Sequence, residues 1–376
     1  MQDIKLYTVY MPILQQKFKK FIYIIPIILL FSVFAFLYIK SSQDISNTPL
    51  KDLASQHNLK LGNFAIFNHI YEKPYQEILT TQFDFVLADN TPNWYFTDGG
   101  LRPTKDTYNL EQLDKIVEYA QSYNMPIQAH HYVWGDEKWL PEWLKSGNFS
   151  KEELMQILKD HILTVGEHYK GQISEWTVVN EAFTRSMHLY DLRDWWADSI
   201  GDMSYIDQAF IWAREADPEA ILILNDFGND TINDVSNAMY EYINDAKDRG
   251  IPIDGIGMQM HIDGSNPPKR DDVINNMKRF ADIGVDIYVT EFDVNMDNVK
   301  TLNWRKDQIQ ADIYYEMIRA CIESTVCHSF AFLGITDSET WYNYMDGVTD
   351  ARPLMFDKYY NPKPAFFSVE KALKEK

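Results

Sequence analysis

Apolar positions along this 376-residue chain fall into two patterns: one long unbroken run near the start, then short runs that recur to the end. The long run, Phe21 to Ile39, reads FIYIIPIILLFSVFAFLYI and carries no charge over nineteen residues. As a helix it would span about 28 Å at ~1.5 Å per residue, close to the hydrocarbon thickness of a bilayer. Lys5, Lys17, Lys19 and Lys20 precede it and only Lys40 follows closely. The positive-inside rule then sets residues 1–20 in the cytoplasm and everything beyond Lys40 outside. No small-x-small cleavage site follows the run, which favours an uncleaved anchor over secretion after signal cleavage. The expected organisation is a basic cytoplasmic N-terminus (1–20), a membrane anchor (21–39), a polar linker (40–50) and one extracytoplasmic domain (51–376).

The short runs have strand length. They are KLGNFAIF (60–67), FVLAD (85–89), PIQAHHYVW (126–134), EWTVVNE (175–181), ILILND (221–226), GIGMQMHI (255–262), DIYVTEFDV (286–294) and CHSFAFLGI (327–335), eight in all. Amphipathic stretches separate them; in one, Leu110, Leu113, Val117 and Ala120 recur at helical spacing. Near-continuous apolar strands alternating with helices describe a parallel sheet covered on its outside. Eight of them predict the α/β class and a closed (β/α)8 TIM barrel. An open doubly wound sheet would bring a Gly-rich phosphate turn after the first strand, and GNFAIFNHI has none.

Composition narrows the function. The chain has 35 Lys+Arg against 55 Asp+Glu and a formal charge of -20, which argues against a polyanionic partner such as nucleic acid. Two cysteines are too few for a disulfide scaffold or a thiolate metal site. No H-E-x-x-H spacing or phosphate-binding glycine loop occurs, so neither a metal nor a cofactor is expected. Aromatic residues, at 14%, are abundant enough to need an explanation from either the core or a ligand.

In a barrel, polar side chains at the C-terminal ends of strands converge on one mouth. Here those positions hold Asp89 and Asn90, His130, Asn180 and Glu181, Asn225 and Asp226, Gln259 and His261, Glu291 and Asp293, and Thr336 and Asp337. Glu181 and Glu291 stand on the fourth and seventh runs, across the mouth from each other. Two opposed carboxyl groups suit cleavage of a glycosidic bond: one protonates the leaving oxygen while the other attacks the sugar from the opposite face. His261 is placed to hydrogen-bond Glu291, with Asp293 orienting its imidazole from behind. Such a chain would keep Glu291 ionised while Glu181 holds its proton.

WTVVNEAF (176–183) and YVTEFDV (288–294) resemble the acid/base and nucleophile motifs of glycoside hydrolase family 10. GIGMQMHI, LNDF (224–227), SYIDQAFIWAREADP (204–218) and PLMFD…NPKPAF (353–366) match other motifs of that family in order, and the resemblance runs from about Leu50 to the end. It implies a monomeric (β/α)8 retaining endo-β-1,4-xylanase-like enzyme, with Glu181 as general acid/base, Glu291 as nucleophile and a β-1,4-linked polysaccharide or oligosaccharide as partner. It further implies that Asn180 meets the sugar 2-hydroxyl, that His261, Gln259 and Asp293 support the nucleophile and the bound sugar, and that Asn225 and Asp226 are supporting residues. Asp89, Asn90, His130, Trp134, Gln259 and Trp341 are then substrate-binding residues. Cys321 and Cys327 sit at the spacing of a family disulfide, which also agrees with an oxidising compartment.

The chain departs from the family pattern at three places. Asn93 stands where a Lys is usual, Gly135 where a His follows the tryptophan, and Leu333 where a Trp precedes Gly-Ile-Thr-Asp. All three fall in the glycone subsites, so a β-1,4-glucan or mixed-linkage glycan remains an alternative substrate, and a catalytically weak surface carbohydrate-binding protein an alternative role. Trp139, Trp143, Tyr342 and Tyr344 lie in loops beside the expected cleft, where they either stack on sugar rings or pack the loops onto the barrel.

Overall fold

A computed structural model describes residues 48–88, 92–95, 100–189 and 192–376. The expected cytoplasmic, anchor and most of the linker segments, and the binding residues Asp89 and Asn90, lie outside the described residues.

The strands are β1 (Lys60–Ala65), β2 (Phe85–Ala88), β3 (Ile127–Trp134), β4 (Glu175–Asn180), β5 (Ile221–Asp226), β6 (Gly255–Met258), β7 (His261–Asp263), β8 (Asp286–Asn295) and β9 (Cys327–Phe332). All pair in parallel. The order runs from β1 through β6, passes from β6 directly to β8, continues to β9 and closes on β1, giving an eight-strand parallel barrel. The short β7 adds to β8 at the C-terminal rim. The strands are buried along nearly their whole length, as expected where one face fills the barrel and the other meets helices.

Among the described residues eight longer helices follow the strands: α1 (Lys73–Gln82), α2 (Glu111–Ser122), α3 (Lys151–His168), α4 (Ser204–Ala216), α5 (Asp234–Asp248), α6 (Arg270–Asp282), α7 (Asn303–Ser324) and α8 (Pro364–Lys374). Their starts carry local signals. Ser150 and Glu153 form a reciprocal capping box on α3, and a proline occupies the first turn of α1 and of α8, where its missing N–H costs no hydrogen bond. On α2 the buried residues Leu113, Ile116, Val117 and Ala120 share one face, confirming the helical spacing seen in the sequence.

The sixth apolar run, expected as one strand over 255–262, is interrupted. Met260 adopts φ +58°, a left-handed conformation that a strand cannot contain, so pairing stops at Met258 and resumes at His261. The last run is also shorter than expected, ending at Phe332 rather than Ile335. A disulfide joins Cys321 on α7 to Cys327, the first residue of β9, with Cα atoms 5.2 Å apart. It fastens the end of the barrel away from the strand C-termini.

Candidate active site

Glu181 directly follows β4 and takes a left-handed conformation with φ +59°. Such a conformation costs a non-glycine residue on the order of 1 kcal/mol, so the surroundings must hold it. Its backbone N–H donates to the Asn225 carbonyl at 2.9 Å. Asp226 secures the next residues, accepting from Phe183 N at 2.8 Å, Thr184 N at 3.2 Å and Thr184 Oγ1 at 2.6 Å. Burial, opposed by the Thr184 hydrogen bond, pushes the Asp226 carboxyl up to about 7. Asp226 supports the turn bearing Glu181.

Both glutamates are largely buried, Glu181 at 8% and Glu291 at 7% exposure, so each contact counts for more than it would in water. One hydrogen-bonded path connects them. Gln259 Nε2 donates to Glu181 Oε1 at 3.2 Å and to Asn180 Oδ1 at 3.1 Å. Asn225 Nδ2 donates to the same Asn180 oxygen and to Glu291 Oε1, both at 2.8 Å. Thr290 Oγ1 donates to Asn225 Oδ1 at 2.7 Å, which turns the Asn225 amide nitrogen towards Glu291. Gly257 is required beside it, since a Cβ there would sit 2.0 Å from Asn225 Oδ1.

Two imidazoles flank Glu291. His261 Nε2 lies 3.4 Å from Oε2, and His130 Nε2 lies 3.6 Å from Oε1. Asp293, fully buried, takes His261 Nδ1 at 3.1 Å, the Trp341 indole N–H at 2.8 Å and the Tyr342 hydroxyl at 3.2 Å. Burial opposes a charge on His261, yet the Asp293 and Glu291 carboxylates outweigh it and lift the imidazole well above its ordinary range. Burial likewise works against the Glu291 carboxylate, but the charged His261 and the Asn225 amide draw it below its usual value, joined by His130 only when that imidazole is protonated. Burial holds His130 low, and Glu291 opposes this only in part. The expected His261–Glu291–Asp293 relay is therefore present, with Glu291 favoured as an anion. The break at Met260 separates two neighbours by role: Gln259 turns to Glu181 while His261 turns to Glu291. Gln259, expected beside the nucleophile and the bound sugar, donates to Asn180 and Glu181.

Glu181 differs from expectation in its partners. The Trp134 indole N–H donates to Oε2 at 2.7 Å, and Arg185 Nε donates to the same oxygen at 2.8 Å. Trp134, Arg185 and Gln259 all donate to the Glu181 carboxyl group. Trp134 is thus a ligand of Glu181, beyond the sugar-binding role expected of it. Arg185 was missed, although its i+4 position on a helical turn after Glu181 was a usable signal.

The departures from the family pattern have physical counterparts. A side chain at Gly135 would place its Cβ 2.2 Å from Asp194 Oδ1, so this position is closed to anything larger than glycine. Asp194 is committed to capping the helix Trp195–Ile200 and to the Tyr205 hydroxyl. Asn93 is buried. Leu333 is half-buried just beyond β9, its N–H bonded to the Phe292 carbonyl. Asp337 is taken by Lys363 Nζ at 2.9 Å and Leu354 N at 2.9 Å.

The loop aromatics divide. Trp143 packs inward, donating to the Arg102 carbonyl at 3.1 Å and stacking near Trp94, and Tyr342 is buried on Asp293. Trp139 lies parallel to Trp134 with ring centroids 6.1 Å apart. Trp341, packed on Tyr342 with ring centroids 4.2 Å apart, is 38% exposed, and Tyr344 is 90% exposed. Among the described residues no group of three or more His, Cys, Asp or Glu side chains is arranged to hold a metal ion.

The family model "Glycosyl hydrolase family 10" matches residues 49–372. Among curated proteins, endo-1,4-beta-xylanase B of Thermotoga neapolitana is 36% identical over 342 residues, covering 89% of this chain and 93% of that protein. Beta-1,4-xylanase of Dictyoglomus thermophilum is 33% identical over 320 residues, covering 82% of this chain and 87% of that protein. Among solved structures, xylanase 10B from Thermotoga petrophila RKU-1 in complex with xylobiose superimposes with a TM-score of 0.80 at 35% identity, covering 88% of this chain and 98% of that one.

Proposed function

The chain belongs to glycosyl hydrolase family 10, and we propose that it is a retaining endo-β-1,4-xylanase acting through a covalent glycosyl-enzyme intermediate. The observation that carries this reading is the path linking Glu181 to Glu291 through Gln259, Asn180 and Asn225, with Glu291 favoured as an anion. Glu291 attacks the anomeric carbon while Glu181 protonates the departing oxygen; the C–O bond breaks and a glycosyl ester forms on Glu291. Glu181 then takes a proton from the incoming water, whose oxygen displaces Glu291 and restores the carboxylate. Asn180 uses its Oδ1 within the protein network, leaving its amide group for the sugar 2-hydroxyl. Trp341, held at its indole N–H by Asp293, offers a face for a pyranose ring.

The relatives named as xylanases support xylan as the substrate class. Gly135 and Leu333 support a second reading, a β-1,4-glucan or mixed-linkage glycan, because polar or aromatic contacts on the glycone side are reduced there. A carbohydrate-binding protein without turnover would have no use for an ionised nucleophile beside a second carboxyl. Assays of the purified chain on xylan, β-glucan and aryl xylosides separate the three: release of reducing ends from xylan is expected, and binding without release would overturn the enzymatic reading.

We also place the domain outside the cytoplasm, anchored by residues 21–39, on the strength of that uncharged run and the lysines before it. The Cys321–Cys327 bridge supports an oxidising location. Activity recovered in the soluble cytoplasmic fraction, with none on membranes or outside the cell, would contradict this.

A further inference from the structure

Glu181 carries unequal loads on its two carboxyl oxygens. Oε2 accepts from the Trp134 indole at 2.7 Å and has both Arg185 Nε and Arg185 Nη2 at 2.8 Å. Oε1 has one recorded partner, the Gln259 amide at 3.2 Å. An indole N–H and a guanidinium are donors in every protonation state reached by proteins; neither can accept a proton. Arg185 is itself fixed. It is 5% exposed, its Nη2 reaches Asp136 Oδ2 at 3.0 Å, and its guanidinium lies 5.4 Å from the Trp134 ring centre.

We propose that Arg185 is a positioning residue that decides which oxygen of Glu181 carries the catalytic proton. With Arg185 and Trp134 occupying Oε2, that oxygen is the carbonyl oxygen of the neutral acid, and the proton rides on Oε1. In the first step Oε1–H gives its proton to the glycosidic oxygen, which keeps the electron pair of the breaking bond to the sugar. In the second step Oε1 receives the proton of the attacking water as the Glu291 ester is cleaved. Arg185 reaches Glu181 from the helical turn that directly follows it. This inference rests on the acid/base role proposed for Glu181.

The test is the dependence of kcat/KM, which reports the first step, on leaving group, measured on aryl xylobiosides for the full chain and for R185M, R185K and E181Q. Loss of directed protonation slows poor leaving groups and spares good ones, within the range of about 10²–10⁴ assigned to general acid catalysis. R185M should lose roughly 10- to 100-fold on phenyl glycosides and less than about 3-fold on dinitrophenyl glycosides, a partial loss of that effect. R185K, which keeps the charge but not the paired nitrogens, should fall between. Stoichiometric labelling of R185M by a 2-fluoro glycoside with a good leaving group shows an assembled site; if R185M does not label, R185K decides by the same criterion. Equal losses on both substrate classes, or none on either, overturn the inference. E181Q separates this failure from a larger one: a steep leaving-group dependence in E181Q with a flat one in R185M rejects only the role of Arg185, whereas a flat dependence in E181Q rejects Glu181 as the acid.

Discussion

Asn225 donates to Glu291 at 2.8 Å through an amide whose orientation is set by Thr290, on the same strand as the glutamate it serves. The contact favours the charged form of Glu291, because an amide N–H can bond a carboxylate oxygen but gains less from a neutral one. Replacing it with a group of the same shape and opposite polarity isolates this effect from packing.

N225D puts a carboxylate against Glu291 and removes the donor. Like charges at this distance disfavour ionisation, so the acidic limb of the kcat/KM profile should move to higher pH, by about one unit or more. N225A should move it less. A limb that stays in place in N225D would mean that Glu291 is not the group titrating there.

His261 should act in the same direction through a different contact. Glu291 must be an anion to attack, and its carboxyl lies below the usual range in part because of this imidazole. H261N should therefore cost activity at acidic pH first, with the acidic limb rising towards the ordinary glutamate value. Uniform loss across the pH range would assign His261 to sugar binding alone.

Glu339 offers a stability test away from the glutamate pair. Its side chain is 3% exposed, and burial, opposed by His69 and the Tyr360 hydroxyl, pushes it up to about 7 from 4.5. A carboxyl raised in the folded state contributes stability that is complete below its unfolded value and is lost as pH rises through about 7. E339Q lacks this penalty. Relative to the parent chain it should gain on the order of 2 kcal/mol between pH 4.5 and 7.5, measured by denaturant unfolding. A constant difference across that range would contradict the assignment.

The Cys321–Cys327 bridge closes a short loop, six residues apart in sequence, at the end of the barrel away from the strand C-termini. The chain-entropy model gives about 2 kcal/mol for a loop of this size. The C321S/C327S double variant should unfold at lower temperature yet turn over substrate normally while folded. A large fall in kcat without unfolding would tie the bridge to the site.

The barrel was legible because its strands are buried on both faces and therefore appear as unbroken apolar runs. Glu181 and Glu291 were legible because they sit where those runs end. The interruption at Met260 was not, since a left-handed methionine leaves no mark on apolar periodicity; the run GIGMQMHI looks continuous although its backbone is not. The partners of Glu181 were hidden for a different reason. Trp134 reaches Glu181 because β3 and β4 pair with a register shift between His130 and Val133, bringing Trp134 opposite Asn180. That depends on neighbouring strands, not on either segment alone. Arg185 needed only the helical spacing from Glu181, but a helical turn right after the strand was not expected.

The assignment of Glu291 as the attacking group is tested most directly by trapping the intermediate. The chain is treated with a 2-deoxy-2-fluoro xylobioside bearing a good leaving group, digested, and its peptides are sequenced by mass spectrometry. One glycosyl group per chain, on Glu291, is the predicted result; an inactivated enzyme bearing the sugar on any other residue would contradict it.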